Sequence, residues 1–223
     1  MLLLDLDDTL LDHTKAQRIA AIRFGQQYRD RIPNYSAERF PDLWHKISAA
    51  HFSAFARGEI SFQEQRRLRL RDIFAEPSLS SENADQIFQD HLIHYEASWS
   101  LFADVIPFLE THSAERMAVL TNGQQAQQLL KLKNTGIEQY FEFVVTAEEV
   151  GVGKPDQKIF EEACKRANLP TEKITYIGDN LKKDALAAAD VGMNGVWLNR
   201  KGLSAPQDVP QIQSLLDWSL NMI

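Results

Sequence analysis

The chain has 223 residues, a net charge of −7 and a single cysteine. That length suits one large domain, or one domain carrying an insert. The acidic balance argues against a nucleic-acid surface, which needs a basic face, and lone Cys164 leaves no disulfide framework. The first apolar run is only four residues and acids follow at once, so no signal peptide is expected. No stretch approaches the ~18 apolar residues of a membrane span. These features together predict a soluble, cytoplasmic protein with no membrane association and no obligate protein partner.

The chain begins MLLLDLDDTLLD. Residues 2–4 read as a short buried strand. Residues 14–100 follow with no convincing strand. Leu43, Ile47, Ala50 and Ala54 recur at helical spacing, as do Ala84, Ile87, His91 and Tyr95. Pro33, Pro41, Gly58 and Pro77 punctuate the segment, which predicts about four helices packed on one another. A helix over 104–112 then leads into MAVLTNG, a strand that ends in Thr121, Asn122 and Gly123. The next elements read as a helix, QQAQQLLKLKN, closed by Gly136, then a strand, FEFVVTA, and a loop, EEVGVGKPD. After these come a helix, KIFEEACKRA, a strand, ITYIGDN, and a helix reaching Gly192. GVWLN reads as the last strand, and a terminal helix is expected over 210–220.

Strands alternating with helices of about ten residues build a parallel sheet from βαβ units. The expected architecture is therefore α/β: a Rossmann-like parallel-sheet core formed by 1–13 and 101–223. The helical block 14–100 is inserted after the first strand as a separate all-helical domain.

Three carboxylates within four residues, directly after a buried strand, call for an explanation, because each favours its neighbour staying protonated. In an open parallel sheet, ligands bind beyond the carboxyl ends of the strands. Asp5 and Asp7 follow the first strand, Thr121 ends the second, Lys154 lies after the third and Asp179 ends ITYIG. All five fall at one sheet edge. Asp5 and Asp7 are two apart and, if extended, face the same way, with Asp8 turned aside. An oxygen-rich site with no nearby His or Cys suits a hard cation, most simply Mg²⁺. Such a site can transfer a phosphoryl group. One carboxylate attacks phosphorus and the other moves the proton, while a hydroxyl and an ammonium hold the phosphoryl oxygens. The helix after Thr121 offers backbone N–H groups, including that of Gly123, to an anion.

These residues carry a resemblance. DLDDT resembles the first motif of the haloacid dehalogenase superfamily of phosphohydrolases, VLTNG the second, GKPD the third and GDNLKKD the fourth, all in order. The helical insert resembles the family's C1-type cap. The resemblance implies Asp5 as nucleophile and Asp7 as general acid and base, with the Asp7 backbone carbonyl on Mg²⁺. Thr121 and Lys154 would bind the phosphoryl group, and Asn122 and Gly123 the substrate. Asp179 would ligate the metal, and Asp184 would support the metal through water or orient Lys154. Its cap would close over the cleft and set specificity. The stretch EEVGVGKPDQKIFEEACKRA resembles bacterial pyrimidine 5′-nucleotidases and is similar to N-acylneuraminate-9-phosphatases. The implied substrate is a small phosphorylated metabolite, first a nucleoside 5′-monophosphate, with a sugar phosphate as the alternative. A phosphosugar mutase, and a phospho-aspartate receiver switch without turnover, are the other readings. The superfamily most often has Gly where this chain has Asp8.

Plainer readings apply elsewhere. Arg66–Arg71 are expected to fan around a helix as a solvated face. Trp44, Phe52 and Phe55 are expected in the core of the helical domain, and Cys164 reads as a small buried residue.

Overall fold

The computed structural model describes residues 1–204, 206 and 208–219. Leu2–Leu4 form strand β1, and all three leucines are buried. A strand covered on both faces requires such an uninterrupted apolar run. Four helices follow: α1 (His13–Gln27), α2 (Phe40–Ala56), α3 (Phe62–Phe74) and α4 (Ser81–Glu96). The chain then alternates through α5 (Val105–Thr111), β2 (Met117–Thr121), α6 (Gln125–Asn134), β3 (Val144–Thr146), α7 (Ala147–Val150), α8 (Gln157–Ala167) and β4 (Thr175–Gly178). A π-helical turn at Leu181–Leu186 runs into α9 (Ala187–Asp190), before β5 (Asn194–Leu198) and β6 (Gln211–Ile212).

The strands form one parallel sheet in the order β3-β2-β1-β4-β5-β6. This is an α/β, Rossmann-like fold. The chain order reverses on either side of β1, so the topological switch point lies between β1 and β4, where doubly wound sheets open a ligand crevice. By contact the chain divides into two units, Met1–His13 with Ser100–Ile223, and Thr14–Trp99.

In the first unit, Leu3, Leu120, Val145, Ile159, Phe160 and Tyr176 pack in one buried cluster. Two glycines matter for its geometry. A Cβ on Gly195 would collide with the Ala185 carbonyl, and one on Gly178 would meet the Asp184 carboxylate. Both must be glycine for the π-helical turn to lie this close to β4 and β5.

The second unit is all helical. Ser61 caps α3 and Ser80 caps α4 by accepting the N–H groups of Glu64 and Asn83. Phe24, Trp44, Leu70, Phe74 and Phe88 form its core. Phe52 is 43% exposed, so it does not belong to that core. The arginines of α3 do not form a simple solvated face either. Arg67 and Arg71 are tied to Asp85 and Glu64. Arg66 and Arg69 instead lie half-buried over the Phe88 ring, 5.2 and 6.0 Å from its centroid. The long side chains cover apolar surface that the polar sequence run conceals.

Two expected elements differ. The segment after β3 is not all loop, because Thr146 caps the short helix α7 and Gly151 ends it at φ +82°. The helix expected over 210–220 is absent from its described part, and GVWLN is not the last strand. Gln211–Ile212 pairs with β5 instead, and Asn199 N–H donates to the Ile212 carbonyl at 2.7 Å. Ser214 is extended and caps only a 3₁₀ turn, Leu215–Asp217. The open edge of β5 offered hydrogen bonds that local helical periodicity could not outweigh. Leu220 lies outside the described residues.

Candidate active site

The site starts from the loop that leaves β1. The Asp5 N–H donates to the Ile177 carbonyl at 3.0 Å, so β1 and β4 stay paired up to this residue. Asp5 is buried. Asp8 turns the chain through φ +60°, a left-handed conformation that Asp tolerates and Gly adopts freely. Thr9, fully buried, then reaches across the switch point. Its hydroxyl lies 3.5 Å from Asp5 Oδ2 and accepts the Asp179 N–H at 3.0 Å. The indole of Trp197 on β5 donates to the Asp179 carbonyl at 2.8 Å. The two acid-bearing loops are therefore bonded to each other and to the sheet.

Lys154 enters from the loop after α7. Its ammonium donates to Asp5 Oδ1, Asp184 Oδ1 and the Tyr176 hydroxyl, each at 2.7 Å. The Tyr176 hydroxyl in turn donates a hydrogen bond to the Leu120 carbonyl at 2.9 Å. Asp184, on the π-helical turn, also accepts the Asn180 N–H at 2.8 Å. Asn122 holds Lys154 from the backbone side, accepting its N–H at 2.6 Å and donating to its carbonyl at 2.9 Å. This pair of bonds ties the Asn122 side chain to the Lys154 backbone.

Asp7 has a separate environment. Lys131 donates to both of its oxygens, at 2.7 and 2.9 Å, and His13 lies 3.5 Å away. Gln128 donates to Asp7 Oδ2 at 3.0 Å and is 2.6 Å from the Thr121 hydroxyl. Gly123 leaves room for this arrangement, since a Cβ there would collide with the Gln128 side chain. At the start of α6 the Gln125 N–H is already taken by the Glu148 carboxylate at 2.9 Å. The expectation that this helix offers its N–H groups to an anion is reduced accordingly.

The electrostatics follow from these contacts. Burial, with Asp184 and Asp179 nearby, pushes the Asp5 carboxyl up to about 8, against the opposing pull of Lys154. Burial, together with Asp184 and Asp8, pushes Asp179 up to about 7. Burial opposes the Lys154 charge, but Asp184 and Asp5 outweigh it and hold the ammonium above its ordinary value. Burial also acts to raise Asp7, but Lys131 and then His13 outweigh it and keep its carboxyl well below the usual carboxylate range.

Asp5, Asp179 and Asp184 each offer an oxygen within 4.8 Å of the others. An all-oxygen set of three clustered carboxylates fits a hard divalent cation. The Asp7 carboxylate is outside this set. The structure thus brings Asp5, Lys154, Asp179 and Asp184 together and places Asp7, Thr121, Gln128 and Lys131 in an adjoining group. Sequence reading missed Lys131, Gln128, Tyr176 and Thr9 as parts of the site. The available signal was position: Gln128 and Lys131 are one and two turns into the helix that starts behind Thr121.

The haloacid dehalogenase-like hydrolase family matches residues 1–192, and the chain belongs to that family. Pyrimidine 5′-nucleotidase YjjG of Escherichia coli is 35% identical over 95 residues, which is 42% of each chain. Phosphoserine phosphatase of Thermus thermophilus is 28% identical over 227 residues, covering 90% of this chain and 88% of that one. Among solved structures, the HAD-hydrolase YfnB of Bacillus subtilis superposes with a TM-score of 0.77 at 22% identity, over 97% of this chain and 95% of that one. No helix among the described residues is long and apolar enough to cross a membrane.

Proposed function

We propose that this chain is a cytoplasmic Mg²⁺-dependent phosphomonoesterase that works through a phosphorylated Asp5, with pyrimidine nucleoside 5′-monophosphates as its first substrates. One observation carries the reading: two carboxylates two residues apart have opposite environments. Asp5 is buried against Lys154 beside two further acids, while Asp7 is held apart by Lys131. The acid beside Lys154 and the other carboxylates is placed to take the phosphoryl group, and the acid set apart from that group is left to carry the proton.

In the first step an Asp5 oxygen forms a bond to phosphorus as the ester P–O bond breaks, and Asp7 gives the leaving oxygen a proton. In the second, Asp7 takes a proton from water, whose oxygen bonds to phosphorus as the bond to Asp5 breaks, releasing inorganic phosphate. Asp7 is ionised in the free protein, the form needed for the second step. The negative charge of an incoming phosphate favours loading it with a proton for the first. Lys154 and the Thr121 hydroxyl would hold phosphoryl oxygens as charge spreads over them. Asp5, Asp179 and Asp184, with the Asp7 carbonyl, would hold Mg²⁺. When bound, the cation supplies charge neutralisation between the anionic nucleophile and the anionic phosphate.

The resemblance of residues 148–167 to nucleotidases and the partial match to YjjG support the nucleotide. The longer match to a phosphoserine phosphatase supports a second reading, a phosphorylated small molecule without a base, sugar phosphates included. The test is phosphate release across nucleoside monophosphates, sugar phosphates and phosphoserine, with Mg²⁺ and with EDTA. Preference for a pyrimidine nucleotide, lost in EDTA, is expected. Preference for a sugar phosphate or phosphoserine would move the substrate and keep the chemistry. No metal-dependent release from any of them would overturn the phosphatase reading in favour of a mutase or a switch.

A further inference from the structure

Lys131 is 1% exposed, sits on the second turn of α6 and belongs to no motif singled out above. A buried lysine is costly unless its ammonium is fully engaged. Here it spans both oxygens of Asp7, at 2.7 and 2.9 Å. Gln128, one turn earlier on the same face and fully buried, adds a third bond to Asp7 at 3.0 Å and reaches the Thr121 hydroxyl at 2.6 Å. Three hydrogen bonds from two side chains on one helix face therefore fix the plane of the Asp7 carboxylate. Without them Asp7, two residues from Asp5, would be free to turn toward other partners. The hydroxyl of Thr121, with Gln128 at its lone pair, keeps its proton for an acceptor.

We infer that Lys131 and Gln128 are positioning residues that aim the Asp7 carboxylate for proton transfer and register it against Thr121, apart from the Asp5–Lys154 group. The inference rests on the proposed phosphatase mechanism. Lys131 and Lys154 then have separate tasks: Lys154 serves the nucleophile and the phosphoryl group, and Lys131 serves the proton carrier. A carboxylate turned away from the leaving oxygen and from the attacking water slows both proton transfers without weakening substrate binding.

The experiment compares wild type with Lys131→Met, Lys131→Arg and Gln128→Leu on two substrates. One is the best nucleoside monophosphate, whose alkoxide leaving group needs a proton. The other is p-nitrophenyl phosphate, whose leaving group does not. For Lys131→Met the expected result is a fall in kcat of roughly 10²-fold or more on the nucleotide with KM changed by less than a few-fold. On p-nitrophenyl phosphate, a burst of about one nitrophenolate per site should be followed by slow turnover, because the first step survives and the water step does not. Lys131→Arg, which keeps the charge, should recover much of the loss, and Gln128→Leu should show the same pattern more weakly. Equal loss on both substrates without a burst, or kcat within about threefold of wild type on both, would overturn the inference. If wild type itself shows no metal-dependent release, the phosphatase reading has failed instead, and the two failures are told apart by that control.

Discussion

The two units bury polar groups in opposite ways. In the sheet unit, buried acids and lysines meet: Lys154 is within 2.7 Å of two carboxylates, and Lys131 is bonded to a third. In the helical unit, His91 is 2% exposed and its Nδ1 has no hydrogen-bond partner among the described residues. It lies 4.3 Å from the Trp44 ring, centroid to centroid, with Phe88 and Tyr95 around it. Burial, then Arg69, His94 and Arg66, push this imidazole down to about 3, so it is buried neutral. Neighbouring Arg69 is lowered to about 10 by burial and by Arg66. In the sheet unit the buried charges are paired, whereas in the helical unit the buried imidazole stays neutral.

Breaking the sheet unit's charge group should give the largest effects. Asp5→Asn removes the nucleophile and keeps a carbonyl oxygen for Lys154. Turnover is expected to fall by roughly 10³-fold or more while circular dichroism and melting stay near wild type. Near-normal Mg²⁺-dependent phosphate release from this variant would sink the nucleophile assignment. Next is Lys154→Met, which leaves Asp5 and Asp184 buried together without their shared cation. Denaturant titration should show a loss of about 3–5 kcal/mol, besides loss of activity.

The pH dependence sharpens the contrast. Asp5 and Asp179 have folded values of about 8 and 7, against 3.8 for an unperturbed carboxyl. Between about pH 4 and pH 8 the metal-free folded chain therefore holds protons that the unfolded chain has released, and its stability falls as pH rises. Mg²⁺ held as proposed would have to displace those protons. Its stabilisation, read as a shift in Tm, should be larger at pH 8 than at pH 6. Equal shifts at both would exclude proton competition.

His91 runs the other way. Its folded value lies below the unfolded 6.5, so below about pH 6.5 the unfolded chain takes up a proton that the folded chain refuses. That contribution is complete above pH 6.5 and is lost as pH falls toward 3. His91→Phe should flatten the acid side of the melting profile and leave the alkaline side alone. An unchanged acid profile would show that His91 is not the group responsible. This is the smallest of the four effects, because it removes a pH dependence without touching activity.

How much could be read beforehand depended on how far apart the causes lie. Asp5, Thr121, Lys154, Asp179 and Asp184 stand in short local motifs at strand ends, so alternation of strands and helices was enough to bring them to one edge. Lys131 lies in LLKLKN, where a lysine reads as solvated helix surface. Only the packing of α6 beneath the β1 loop buries it and turns it toward Asp7. Tyr176 reads as a core aromatic until its hydroxyl is seen under Lys154. Asn122 stands in a motif suggestive of substrate contact, yet its amide is held by the backbone of a residue 32 positions away.

By itself the sequence determined the class of fold and the gathering of the acids at one edge of the sheet. Apolar runs, helical periods and the residue types at strand ends are local properties, and a parallel sheet has only one edge at which they can converge. Tertiary structure alone decided the remainder: that residues 211–212 add a strand to β5, that Asp7 is bonded to Lys131 and apart from the Asp5 group, and that Arg66 and Arg69 lie over Phe88. Each of these depends on a partner distant in sequence, and a hydrogen bond or buried charge contact formed on folding outweighs the few tenths of a kcal/mol per residue that local propensity contributes.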